Sequence, residues 1–218
     1  MAEKLSKDDI VEAVLNASFY RSLGATSLTD IANELHIKKA SLYNHFNNRD
    51  DLIAQTFETC AKYIEEITFI PPEINSIAKK YSPETVFKGI VNRYLKMHEK
   101  SPMFQIYTFV ESQKYFSATA GAIVKNEKEK IIKQTEVVLQ SLADLKKIRL
   151  SSSSEIKSAA IWFCSGVNDL LNLYLVERKQ VVVKNPAAGV GELFTLPVDE
   201  KSIDSVDSFI DEFISLIK

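Results

Sequence analysis

The amino-acid sequence predicts an all-α protein of about nine helices. Apolar residues recur at helical spacing along most of the chain, and helix-start signals such as Ser82-Pro83 precede several of these stripes. No alternation of strands and helices is found along the sequence. We place a domain boundary at residue 48, which divides the chain into a smaller domain, 1–48, and a larger one, 49–218.

Composition, net charge and cysteine usage limit the classes of protein to which this chain can belong. The chain has 218 residues, is 45% hydrophobic and 26% charged, and carries a net charge of −2, so any nucleic-acid binding must come from a local patch. Cys60 and Cys164 lie far apart without a CxxC motif, which predicts reduced, buried thiols. We find no signal-peptide core and no apolar run near the ~18 residues of a membrane span. The expectation is a soluble, cytoplasmic protein without membrane, metal or cofactor.

The segment Ser27–Phe46 predicts two short helices joined by a tight turn. Ser27 is a good N-cap, and Asp30 stands where a capping-box acid would stand. The positions expected to be buried repeat at helical spacing in both helices: Ile31, Ala32, Leu35, Leu42 and Phe46. An inner helix, a short turn and an outward helix of small and polar residues are what a helix-turn-helix requires.

Charge along this segment favours a DNA backbone as partner. No acid lies between Glu34 and Asp50, whereas Lys38, Lys39 and Arg49 fall in that window. A local positive field of this kind attracts phosphates. The alternative interpretation is a solvated helical hairpin in an ordinary bundle.

The other predicted helices follow from cap and proline signals. They are a first helix from Ser6, a helix from Asn48 to about Glu66 that would connect the two domains, and helices beginning at Ser82, Ser101, Ser117, Glu155 and Asp199. The helix from Ser117 is expected to end at Leu142, and the helix from Glu155 at Arg178. Proline and glycine in 184–197 predict a loop or an extended arm there.

The N-terminal residues resemble the tetracycline-repressor-like (TetR) family of transcriptional regulators. The match covers about the first 55 residues, and its motifs are T-S-L-T-D-I-A from Thr26 and L-Y-x-H-F from Leu42, followed by Arg49 and Leu52. The resemblance implies a DNA-binding domain followed by helices that bind an effector and dimerise. It also implies a repressor that binds a palindromic operator as a homodimer and is released by a small hydrophobic or aromatic effector.

The chain departs from the family pattern at several positions. His36 stands in the turn where the family usually has Gly, and it would have to adopt a left-handed backbone if the turn keeps its usual shape. Lys38 and Ala40 replace the usual Ser and Gly around the start of the recognition helix. A Gly common near the end of the first helix aligns with Ser22, and this chain offers Gly24 instead.

The resemblance assigns the DNA contacts as well. It implies phosphate contacts from Thr26, Ser27, Tyr43, His45 and Arg49. We expect the major-groove residues to be Lys39, Ala40, Ser41 and Asn44, with Lys38 as a further cation beside them. Lys can donate to guanine, Asn can pair with adenine, and Ala can contact a thymine methyl group. The alternatives are a packing role for Tyr43 and a role for His45 in shielding the core.

Two further sets of candidates lie in the larger domain. The candidate effector-binding residues are Phe87, Tyr94, His98, Phe104, Tyr107, Trp162 and Asn168. Core packing is the alternative for the members of this set, and for Trp162 the alternative is a place in the core or in an interface. The candidate dimerisation residues are Ala159, Phe163, Gly166, Leu170, Ile203, Val206, Ile210, Phe213 and Ile217. Small residues would allow close helix approach, and the Ile203–Ile217 seam would supply apolar area.

Two other functions compete with a DNA-binding regulator. The first is a helical interaction or small-molecule-binding protein of the same fold that does not bind DNA. The second, an all-α enzyme, has little support, because the sequence has no glycine-rich phosphate loop, no HExxH motif and no Cys/His arrangement at a catalytic spacing.

Overall fold

The computed structural model describes residues 5–184 and 200–218, and every regular element in these ranges is an α-helix. The ten helices of the described residues are α1 (Lys7–Arg21), α2 (Leu28–Glu34), α3 (Lys39–Leu42), α4 (Arg49–Glu66), α5 (Ile74–Lys80), α6 (Pro83–His98), α7 (Met103–Gln113), α8 (Ala118–Asp144), α9 (Ser153–Lys184) and α10 (Glu200–Ile217). The all-α prediction is confirmed.

Helices α5 and α9 differ from the prediction. Helix α5 was not expected, and it accounts for the tenth helix. Helix α9 continues to Lys184 rather than ending at Arg178, because the added residues carry no helix-breaking Pro or Gly. The loop expected at 184–197 otherwise lies outside the described residues.

Capping explains where most helices begin. In α1 and α2 the N-caps Ser6 and Ser27 form reciprocal capping boxes with Asp9 and Asp30. The Asn48 side chain accepts a hydrogen bond from Asp51 N at 2.8 Å at the start of α4. These local predictions from the sequence are confirmed.

The chain divides into two compact units. The first comprises the described residues up to Ile67 together with Ser101–Lys125, and it contains α1 to α4 and α7. Its core includes two aromatic pairs, Phe19 with Phe104 and Phe57 with Phe109, each with ring centroids 5.0 Å apart. The predicted boundary at residue 48 separates a proposed DNA-binding domain from a proposed effector-binding domain. It stays a prediction.

The second unit comprises Thr68–Lys100 and the described residues of Asn126–Lys218. An aromatic cluster holds α6, α9 and α10 together: the Phe163 ring centroid lies 4.6 Å from that of Phe87 and 4.8 Å from that of Phe213. On the surface, Lys88 Nζ lies 2.7 Å from an Asp211 carboxylate oxygen and links α6 to α10.

The seam of α10 packs inside its own chain. Val206, Ile210 and Phe213 are buried, and α10 contacts α6 and α9. Gly166 has the same role within the chain, because the Phe209 ring occupies the space that a Cβ at residue 166 would need. Side chains that are already covered cannot form the surface of a second contact, so the structure places this part of the predicted dimer set in the monomer core.

Helix α9 is the one described helix long and apolar enough to cross a membrane. The sequence predicts no membrane-spanning stretch, and one such helix does not overturn that prediction. The core helix of a globular protein meets the same test, and α9 packs against α6 and α10 within the second unit. Its length and composition are therefore weak evidence for a span.

Both cysteines are free and buried, as predicted. Burial raises the pKa of Cys60 to about 12 and that of Cys164 to about 11. A thiol with so high a pKa is a poor nucleophile at neutral pH. Both side chains therefore contribute packing.

The link between α1 and α2 contains a residue in a strained conformation. Ser22 has φ 77° and ψ 155°, a combination that is almost exclusive to glycine. The family's usual glycine aligns with this position, and Gly24 does not adopt a positive φ. The backbone at residue 22 is therefore one that suits glycine, although this chain has serine there.

Replacing Ser22 by Gly is expected to raise the free energy of unfolding by about 1 kcal/mol, since relief of strain exceeds the added entropy of the unfolded chain. Urea unfolding followed by circular dichroism measures this change. Ser22→Ala is the matched control, because alanine keeps a Cβ at the strained position and should therefore give no such gain. An equal gain in the control, or a loss in Ser22→Gly, would contradict the assignment of strain.

Candidate nucleic-acid interface

Helices α2 and α3 form the helix-turn-helix that the sequence predicts. Ile31 and Ala32 bury one side of α2, while Leu42 and Phe46 bury the inner side of the following segment. His36 in the turn has φ 54°, which is the left-handed backbone expected there. The second helix is a single turn, Lys39–Leu42, and is shorter than the segment predicted to reach Phe46.

The outer face of α3 presents the predicted major-groove side chains. Lys39, Ala40 and Asn44 are exposed, Ser41 is half-buried, and the Tyr43 ring is 51% exposed. Lys38 is the exposed N-cap of the helix and makes no side-chain capping bond. The buried Leu42 fixes which side of this short helix faces outward.

Thr26 does not present its hydroxyl outward. Its side chain is buried, and Oγ1 donates a 2.7 Å hydrogen bond to the Ser22 carbonyl oxygen. This bond stabilises the strained turn after α1. The predicted phosphate contact would have to come from other atoms of this residue or follow a rearrangement.

Arg49 is also occupied inside the first unit. One guanidinium nitrogen, Nη2, donates to the carbonyl oxygens of Leu23 at 2.8 Å and Thr26 at 3.3 Å. The side chain therefore holds the loop that precedes α2. Its predicted phosphate contact remains a prediction, and the structure adds a positioning role.

Ser27 uses both of its donors internally. The Ser27 backbone N–H donates to Asp30 Oδ2 at 2.8 Å, and the hydroxyl donates to the same oxygen at 2.7 Å. Arg21 Nη1 donates to the other carboxylate oxygen at 2.7 Å. The hydrogen bonds from Ser27, and then the neighbouring Arg21 charge, hold the pKa of Asp30 below its usual value.

Two other side chains lie near Phe46. His45 is half-buried beside Phe46, as expected for either of its two interpretations. The Lys7 ammonium lies 5.6 Å from the centroid of the Phe46 ring and donates to Gln55 Oε1 at 3.1 Å. Sequence reasoning missed Lys7, because only folding brings α1 and α4 together.

The candidate effector-binding residues do not form one group. Phe104 and Tyr107 are buried in the first unit, whereas Phe87, Tyr94 and His98 are buried in the second. On α9, Trp162 is 72% exposed and Asn168 is exposed. Trp162 and Asn168 therefore lie on the surface of the second unit rather than in its core. The assignment of this set to a ligand stays a prediction.

Tyr94 and His98 do come together, in a polar group within the second unit. Tyr94 Oη donates to Glu127 Oε1 at 2.9 Å, and His98 Nδ1 lies 2.8 Å from the Tyr94 carbonyl oxygen. Burial lowers the pKa of His98 to about 4, so the imidazole is neutral at pH 7. An open groove of about 600 Å³ elsewhere in this unit is lined by α5, α8 and α9 and contains none of the seven candidates.

One face of α9 carries exposed apolar side chains, which we call the α9 strip: Trp162, Leu173, Val176 and Val183. These positions share one side of the helix at 3.6 residues per turn. The strip differs from the predicted dimer set. The buried members of that set are Ala159, Phe163, Val206, Ile210, Phe213 and Ile217, and the half-buried members are Gly166, Leu170 and Ile203.

Comparison with known proteins identifies similar chains. Residues 19–56 match the family described as bacterial regulatory proteins, tetR family. The chain is 27% identical over 187 residues to the HTH-type negative transcriptional regulator IcaR of the biofilm operon icaADBC from Staphylococcus aureus strain Newman, spanning 78% of this chain and 98% of that protein. IcaR from Staphylococcus epidermidis is 30% identical over 96 residues, 42% of this chain and 51% of that protein.

Solved structures share the fold at low sequence identity. A TetR transcriptional regulator from Legionella pneumophila superposes with a TM-score of 0.58 at 19% identity, covering 98% of this chain and 100% of that chain. A TetR-like transcriptional regulator from Rhodococcus superposes with a TM-score of 0.60 at 16% identity, covering 99% of this chain and 98% of that chain.

Proposed function

The chain is a transcriptional regulator of the TetR family, and we propose that it is a cytoplasmic repressor that binds a palindromic operator as a homodimer and leaves it when a small hydrophobic effector binds. The observation that carries the proposal is the outward surface of α3 and of the turn that follows it, where Lys39, Tyr43 and Asn44 are exposed around a buried Leu42. The negative regulators of the biofilm operon to which the chain is similar support repression as the output.

DNA contact follows from the chemistry of that face. Lys39 supplies a cation for guanine or phosphate, Asn44 supplies an amide for adenine, and Tyr43 supplies a hydroxyl for the backbone. Thr26 and Arg49 act mainly by fixing the loop before α2, since their donors bind carbonyl oxygens of that loop. In this way the loop helps to position α2 within the helix-turn-helix.

Dimerisation is proposed through the α9 strip. Large apolar side chains left exposed on one helix face are candidates for an interaction surface, and Trp162 and Leu173 are more than half exposed, at 72% and 58%. A two-fold dimer presents two α3 helices to half-sites about 34 Å apart, which requires a palindromic operator. The α10 contribution would come from exposed Leu216 rather than from the buried seam.

Effector release is proposed as a population shift. An effector that binds one conformation better than another moves the protein toward that conformation by the difference in binding free energy. The buried Tyr94 and His98 and their neighbour Glu127 supply polar groups within the second unit that could orient such a molecule. The class of effector that fits this proposal is an apolar compound that carries a few polar atoms.

The decisive experiment is a titration of the protein with duplex fragments from the region around its own gene, at several salt concentrations. A DNA-binding repressor gives steep salt dependence together with sequence preference for a palindrome. A protein of the same fold that does not bind DNA gives neither, and that result would remove the proposal. Thermal shifts in a screen of hydrophobic compounds test the effector.

Lys39→Ala is expected to weaken specific operator binding by about 1–3 kcal/mol and to relax base preference at one position. The physical reason is the loss of an exposed cation from the first turn of α3. A gel-shift titration against operator variants measures both effects. Unchanged affinity with unchanged preference would exclude Lys39 as a base-reading residue.

A further inference from the structure

The start of α2 has an unusual distribution of hydrogen-bond donors. The family pattern assigns a phosphate contact to Ser27, but the Ser27 backbone N–H and hydroxyl both donate to Asp30 Oδ2, at 2.8 and 2.7 Å. A phosphate could use these donors only by displacing a carboxylate that is covalently part of the same helix. The contact expected of Ser27 is therefore blocked in this conformation.

Arg21 supplies donors at the same place. Its Nη1 atom donates to Asp30 Oδ1 at 2.7 Å, so the guanidinium and Ser27 share one carboxylate. The side chain is 60% exposed, and Asp30 is its one hydrogen-bond partner within the described part of the chain. A guanidinium has five N–H donors in a planar fork, so several remain directed to solvent.

The charge of Asp30 affects how the start of α2 can approach DNA. An uncompensated Asp30 carboxylate beside the first turn of α2 would repel a DNA backbone. The Arg21 ion pair neutralises that carboxylate and adds exposed donors that are linked to Ser27 through the shared Asp30 carboxylate. We infer that Arg21 contacts a phosphate of the operator backbone and replaces the contact that Asp30 withholds from Ser27. The inference rests on the proposed DNA-binding function.

The test is the salt dependence of duplex binding by the full-length protein. The slope of log K against log salt reports the number of phosphates that the protein neutralises. Arg21→Gln should lower the magnitude of this slope by about one and weaken binding about fivefold at physiological salt. Arg21→Lys keeps the cation and should keep the slope of the natural protein.

The controls separate contact from structure. Lys96→Gln removes an exposed cation of α6 in the second unit and should leave the slope unchanged. Thermal unfolding of Arg21→Gln should match that of the natural protein, because exposed ion pairs contribute little to stability. A merely structural role would change folding or overall affinity without changing the slope.

Each outcome decides the question. An unchanged slope in Arg21→Gln, or an equal fall in Lys96→Gln, overturns the inference. Absence of duplex binding by the natural protein overturns the proposed function itself. A slope reduced in Arg21→Gln and retained in Arg21→Lys and Lys96→Gln supports a phosphate contact by the Arg21 guanidinium.

Discussion

Phe163→Ala is expected to lower the free energy of unfolding by about 3–5 kcal/mol. The Phe163 side chain is fully buried, and its ring packs against Phe87 at 4.6 Å and Phe213 at 4.8 Å between centroids. Truncation leaves a cavity where α6, α9 and α10 meet, and the rigid neighbouring rings limit how far that cavity can collapse. The total stability of a domain is about 5–15 kcal/mol, so the effect should be large.

Urea unfolding followed by far-ultraviolet circular dichroism measures the loss. Lys157→Ala, an exposed change near the start of α9, is the matched control and should alter stability by less than about 0.5 kcal/mol. A loss below about 1 kcal/mol in Phe163→Ala would mean that this cluster is not tightly packed. That result would also reopen the assignment of Phe163 to the dimer interface.

Leu173→Asp is expected to separate the proposed homodimer and to reduce operator binding with it. Leu173 lies within the α9 strip, 58% exposed in the single chain, so the aspartate is solvated in the monomer and buried in the proposed dimer. Burying an unpaired carboxylate costs several kcal/mol, which corresponds to a loss of about 100-fold or more in dimer affinity. Operator affinity falls because a monomer contacts only one of the two half-sites.

Sedimentation velocity over a range of protein concentrations measures the dimer constant, and gel-shift titration measures the loss on DNA. Tyr115→Asp is the matched control, because it places the same charge at an apolar position that is 84% exposed and lies outside the strip. A Leu173→Asp protein that remains dimeric would exclude the α9 strip as the interface. The unfolding curve of the separated monomer should keep its shape if the core is undisturbed.

Local features were predictable from the sequence because their causes lie within a few residues. The N-caps Ser6, Ser27 and Asn48 and their acidic partners define where three helices begin. Periodicity correctly identified Ile31, Ala32, Leu42 and Phe46 as buried positions of the helix-turn-helix, whereas Leu35 is half-buried. The length of α3 was overestimated, since residues 43–45 form turns that an apolar pattern alone does not distinguish from helix.

Tertiary structure decided what each apolar face meets. The seam of α10 was visible in the sequence, but only folding places it against α6 and α9 and leaves Trp162 and Leu173 uncovered. Likewise, only folding directs Arg49 to the loop before α2 and Arg21 to Asp30. The sequence by itself determined helix starts, buried faces and the DNA-binding motif. Only the tertiary structure decided which surfaces stay free, because periodicity marks an apolar face without naming its partner.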